Sequence, residues 1–269
     1  MGGATAVYEA FDSERIARAF DLRTAENSFT RMSGGARLGP MTDHAYDLAA
    51  LREATDRLLS ATEKLDDAAL AEPSRLPGWS RGHVVAHLCR NADALVNVLQ
   101  GRPMYADSET RDRDIERDAP RPQPEQLADL ATSAGHFMDA AAAPADWSRT
   151  VTLRNGVTDS ASRIPFRRRG EVELHHVDLG IGYELEDLPD EFTARQIDFL
   201  TERFAGHPAV VPTVVADDTG RKWTTGGGAE GGSVVVRGTA PELLGWLSGR
   251  RDGSALAVEG GTLPAPPPL

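Results

Sequence analysis

Cysteine and lysine are nearly missing from this sequence. The single cysteine, Cys89, cannot close an intramolecular disulfide, so no cross-link within the 269 residues calls for an oxidising compartment. Lys64 and Lys222 are the only lysines among 29 basic residues, an arginine bias that reads as coding preference. Positive charge is scarce as well: 41 acidic residues leave a formal net charge of −12. Such a balance argues against a nucleic-acid or anionic-membrane partner, because either needs a basic surface to displace counterions or meet head groups. An anionic substrate would need a local positive site. Long apolar runs are absent too; no window approaches the ~20 apolar residues needed to span a bilayer. No arginine-led apolar segment with a small-residue cleavage site opens the chain, and the expected setting is a reducing cytoplasm.

What is present is helical pattern followed by strand pattern. The length suits two modest domains, since single cores stop growing efficiently at roughly 250–300 residues. Residues 1–40 mix Gly, Ser, Arg and Ala and end in a Gly/Pro-rich stretch, which reads as a weakly ordered extension. A first helix begins near Thr42, with Leu48, Leu51, Leu58, Leu59 and Leu65 at helical spacing. In the second, Ser80 stands where an N-cap oxygen belongs. Val84, Val85, Leu88, Ala92, Leu95, Val96 and Leu99 then form one stripe, and Gly101 ends it. Residues 102–123 read as a polar connection, Pro124 to Ala142 as a third helix, and Asn155-Gly156 as a hairpin turn. A fourth helix starts near Pro165, which is tolerated only in a first turn, and ends near Gly180 or Gly182.

After Gly182 the pattern changes. Asp190 to Phe204 reads as an amphipathic helix, with strands at Val210–Val215, Ser233–Arg237 and Ala255–Val258, and a helix at Ala240–Leu247 between the last two. The glycines Gly226 to Gly228, Gly231 and Gly232 lack the Lys-Ser/Thr of a phosphate loop and read as a hairpin loop. The expected fold is α+β: a four-helix bundle at 42–185 followed by a small α/β domain at 186–269.

The candidate chemistry lies on the second and fourth helices. His83 and His87 are four apart; His87 and Asn91 follow one edge of the apolar stripe, while His83 lies further round in the first turn. On the fourth helix Glu171 and His175 share a face and can converge on one ion, but Glu173 and His176 form a rival pair. Spacing does not choose between them. Cys89 lies about 200° round the helix from His87 and reads as packing. The run Arg167-Arg168-Arg169 can greet an anion, though a paired, solvated surface is the plainer reading. His44, His136 and His207 have no partners at ligand spacing and read as structural.

Several separated motifs carry a resemblance. Leu76-Pro-Gly-Trp79-Ser-Arg-Gly-His-Val-Val-Ala-His87-Leu-Cys-Arg-Asn91, then Pro103-Met-Tyr105, then Arg169-Gly-Glu171-Val-Glu-Leu-His175-His-Val-Asp178-Leu-Gly180 resemble the mycothiol-dependent maleylpyruvate isomerases. The likeness continues through Gly249-Arg250 to the proline-rich tail. It implies a DinB-like four-helix bundle, a C-terminal α/β domain, and a zinc ion held by His87, Glu171 and His175, not by His83, Glu173 or His176. It also implies Arg250 as a catalytic arginine, with Arg251 beside it as the competing choice. Asn91 is a candidate for lining the cofactor pocket, against a core-edge hydrogen bond, and Asp178 for holding a ligand in place, against a helix-ending ion pair. The implied cofactors are zinc and mycothiol, and the implied reaction is cis-trans isomerisation of maleylpyruvate to fumarylpyruvate in gentisate catabolism. A zinc-bound thiolate would add to the cis double bond, permit rotation and leave. Two other functions fit the same features: a mycothiol S-transferase acting on another electrophile, and a non-enzymatic metal-binding regulatory module.

Overall fold

The computed structural model describes residues 40–267, with side chains from Asp43 onward. The reading of residues 1–40 as an extension lies outside the described residues, except for Pro40, which opens the first helix. Contacts divide the chain into two compact units at Ile181/Gly182. No helix among the described residues is long and apolar enough to cross a membrane.

The first unit is a bundle. Its long helices are α1 (Pro40–Thr62), α3 (Arg81–Leu99), α5 (Gln123–Ala142) and α6 (Ile164–Asp178), with the short α2 (Asp67–Ala71) and α4 (Ser108–Asp118) between them. Helices α1 and α3 each pack against both α5 and α6, which closes a four-membered ring of helices around one core. Leu51, Leu58, Val85, Leu88, Leu95, Leu130 and Phe137 are buried in it. Each large aliphatic removed from water there contributes roughly 1.5–3 kcal/mol. Helix α3 starts where the sequence says it should: the Ser80 Oγ accepts from the His83 N–H at 3.3 Å, and the Ser80 N–H donates back to His83 Nδ1 at 3.2 Å. The strands β1 (Thr150–Thr152) and β2 (Thr158–Ser160) pair antiparallel, with Asn155 and Gly156 at φ 58° and 72° in the turn between them.

Residues 102–123 correct the expectation of a plain connection, because α4 lies inside them. Its sequence, SETRDRDIERD, has one apolar residue, so there is no stripe for periodicity to find. Asp107 caps it by accepting from the Thr110 N–H at 2.6 Å, Ile115 enters the core, and buried Asp118 pairs with Arg90, Arg117 and Arg121. Close approach to α3 depends on Gly82, where a Cβ would stand 2.3 Å from the Ala119 carbonyl oxygen.

The second unit holds α7 (Asp190–Arg203), α8 (Ala240–Leu247) and a sheet of β3 (Thr213–Asp217), β4 (Lys222–Thr225), β5 (Val234–Gly238) and β6 (Ala257–Glu259) in the order β4-β3-β5-β6. Helices α7 and α8 pack on each other, α7 against β4 and α8 against β3 and β5. Strand β4, with pattern exposed-intermediate-exposed-buried, was absent from the sequence reading; it is short and mostly polar. Its presence corrects the glycine segment as well. Because β5 runs parallel to β3 on the side away from β4, residues 226–232 carry the chain across β3 and do not close a hairpin.

Candidate metal centre

Helices α3 and α6 pack side by side and bring three side chains together. One ligand-type atom each from His87, Glu171 and His175 lies within 4.8 Å of the others. His87 Nε2 is 3.1 Å and His175 Nε2 3.3 Å from the same oxygen, Glu171 Oε2, and the two rings meet edge-on with centroids 4.6 Å apart. Ligands about 2.1 Å from a tetrahedral ion stand about 3.4 Å from one another, so these spacings fit one shared ion. The donor set also fits: two imidazoles and one carboxylate are the protein ligands of an open zinc site.

The other histidines and acids are engaged elsewhere. His83 is held in the cap of α3, with its Nε2 3.4 Å from Glu116. Glu173, buried, accepts from Arg57 Nη2 of α1 at 2.7 Å and faces Arg169 at 3.5 Å. His176 is buried and contributes no atom to the cluster. His44 lies inside the bundle, donating to the Ala141 carbonyl and stacked on Trp147.

Outer contacts set the state of the three. His175 Nδ1 lies 2.8 Å from Asp178 Oδ2, and Asp178 is 1% exposed. That contact fixes the ring and directs Nε2 at Glu171. Burial alone would lower the His175 pKa, but the hydrogen bonds to Asp178 and Glu171 raise it. Burial holds His87 down at about 4, against a weaker upward pull from Glu171, so its ring is neutral and suited to ligation. Glu171, despite burial, is held well below the usual carboxylate range by its two imidazole partners.

Four neighbours of the centre escaped the sequence reading. Trp79 walls His87, with ring centroids 5.6 Å apart. Arg111 of α4 places Nη2 3.3 Å from His87 Nδ1, and its guanidinium sits 6.0 Å above the Tyr105 ring. Arg168 corrects the picture of a solvated arginine run: it is 2% exposed and donates to Asn91 Oδ1 at 2.8 Å, while Arg169 is equally buried. Asn91 is therefore a buried acceptor one turn below His87. The signals were present in part. Tyr105 and Trp79 lie in the quoted motifs, and Arg168 stands three residues before Glu171 on the same helix face. Cys89, 1% exposed, is packing, and burial pushes its thiol to about 12.

Arg250 belongs to the second unit. Helix α8 ends at Leu247, Gly249 takes φ 72°, and Arg250 follows with its N–H on the Gly245 carbonyl and Nη1 3.2 Å from the Ser248 carbonyl. Arg251 is committed to Glu186 at 2.7 and 2.8 Å and to Glu242 at 2.6 Å.

Two family models match the chain. Residues 51–180 match the mycothiol maleylpyruvate isomerase N-terminal domain, and residues 187–267 match the MDMPI C-terminal domain. The crystal structure of a mycothiol-dependent maleylpyruvate isomerase is similar at a TM-score of 0.76 and 25% identity, covering 84% of this chain and 97% of that one. A histidine-to-alanine mutant of that enzyme matches to the same extent. A comparison with curated proteins finds no match.

Proposed function

The chain belongs to the mycothiol maleylpyruvate isomerase family, and on that footing we propose that it converts maleylpyruvate to fumarylpyruvate with mycothiol, at a zinc centre held by His87, Glu171 and His175. The observation that carries this reading is the convergence of two imidazole nitrogens on one carboxylate oxygen, at 3.1 and 3.3 Å. Zinc bound there supplies a positive charge that favours the thiolate form of an entering thiol. Mycothiol, when bound, would supply the thiol nucleophile for the cis double bond.

The chain's own residues set the conditions. The one internal thiol is buried and held protonated, so an external thiol must act. Glu171 brings a single negative charge, which leaves the bound site net cationic and receptive to an anion. Asp178 holds His175 with Nε2 presented, and the neutral His87 presents its own Nε2 from the opposite helix. Arg250, the arginine of the Gly-Arg step, is assigned to stabilise the charge that builds on the conjugated carbonyl when the double bond is attacked. Asn91 is proposed as a support of the cofactor pocket, acting through its hydrogen bond with Arg168.

The test is direct. Purified protein incubated with mycothiol and maleylpyruvate should yield the trans product, followed by absorbance or NMR. Thiol adducts on other electrophiles without isomerisation would transfer the assignment to an S-transferase on the same scaffold.

A further inference from the structure

The two histidines of the centre differ at their outer nitrogens. His175 Nδ1 faces the Asp178 carboxylate, the partner a ligating imidazole needs, because a ring that ligates through Nε2 carries its proton on Nδ1. His87 Nδ1 faces Arg111 Nη2 at 3.3 Å instead. A guanidinium has donors only, so this contact and ligation through His87 Nε2 exclude one another. Arg111 thus has a cation's donors standing beside a ligand of the centre, held there by a contact that ligation removes.

We propose that Arg111 receives a carboxylate of the substrate at this centre. The proposal rests on the isomerase reading above and names the residue that recognises the anion. Among the described residues, the ion pair that Arg111 makes is to the adjacent and largely exposed Asp112, of the kind worth little in water. The Arg111 guanidinium lies 6.0 Å from the ring centroid of the half-buried Tyr105, whose phenolic pKa is raised by desolvation and which also hydrogen-bonds Arg111, so the fork is held on that side. The helix that carries Arg111 holds one buried aliphatic and leans on Gly82, so the side chain is mounted on α4 at a fixed approach to α3. In a chain of net charge −12, this supplies the local positive site that a dicarboxylate requires.

The experiment uses the full-length protein loaded with cobalt, with maleate, a cis-dicarboxylate, as the probe. Binding is read by calorimetry, while metal content and the cobalt spectrum are recorded in parallel. Arg111→Gln should keep its metal and its spectral response to thiol, yet bind maleate about tenfold more weakly or worse, the loss of one charge-assisted pair. Arg111→Lys should recover part of that affinity, since it keeps the charge without the fork. Undiminished maleate binding by Arg111→Gln would overturn the proposal, as would loss of metal in proportion to loss of maleate. A wild-type cobalt spectrum that ignores thiol would instead count against the isomerase reading.

Discussion

The two sides of the candidate metal centre are built by different means. On the α6 side, Glu171, His175 and Asp178 come from little more than two turns of one helix, so their mutual placement follows from helical spacing. On the α3 side, His87 reaches Glu171 only because two helices 84 residues apart in sequence pack together, and its outer nitrogen meets a side chain from a third, α4. Local geometry fixes the first side; tertiary packing fixes the second. The α6 side should therefore be robust and the α3 side tunable.

The largest effects should come from the ligands themselves. His87→Ala, Glu171→Ala and His175→Ala should each weaken zinc binding by more than about 100-fold, beyond the range seen for outer partners, while His83→Ala and His176→Ala should hold zinc as the parent does. Metal analysis after dialysis against a chelator gives the comparison, and equal loss from the second pair would reassign the site. Asp178→Asn comes next, with zinc affinity reduced about 10- to 100-fold, because His175 loses the acceptor that orients it. Retention of full affinity would show that the α6 side needs no outer support.

Gly82→Ala probes the packed side. Its added Cβ meets the Ala119 carbonyl, so stability should fall by about 1–3 kcal/mol in denaturant melts, and KM should rise as Arg111 shifts while zinc content holds. An unchanged KM would detach α4 from substrate recognition.

The last effect is in pH, where the two histidines oppose one another and the net change is smaller than either alone. In metal-stripped protein His87 titrates at about 4 against 6.5 for a free histidine, so its folded form favours the neutral ring. That contribution is complete above pH 6.5 and is lost as pH falls toward about 4, at up to about 1.4 kcal/mol per pH unit. His175, with its raised pKa, works in the opposite sense, adding stability at low pH that is lost as pH rises. His87→Gln should flatten the decline between pH 6.5 and 4 in melts, and an unaltered slope would contradict the burial assigned to His87.

The same contrast explains what could be read from sequence. Features set within one helix were legible: the Ser80 cap, the first-turn position of Pro165, the shared face of Glu171 and His175, and the bounds of α8. Features set by packing were not. Glu173 and His176 match a ligand pair as well as Glu171 and His175 by spacing, and only the arrival of Arg57 from α1 shows where Glu173 is engaged. Arg168 reads as surface because nothing local announces that Asn91, 77 residues away, will meet it. Helix α4 is invisible to hydrophobic periodicity, since capping and charge pairing hold it, and Arg111 was hidden with it. The glycine segment 226–232 resembles a hairpin loop until β4 is found on the far side of β3.

Cobalt spectroscopy puts the central claim to its most direct test. Protein with one cobalt per chain, titrated with mycothiol at neutral pH, should develop an intense near-ultraviolet thiolate-to-cobalt band that saturates at one thiol per metal, and His87→Ala should abolish it. A spectrum indifferent to thiol would mean that His87, Glu171 and His175 do not form a catalytic centre that admits sulfur.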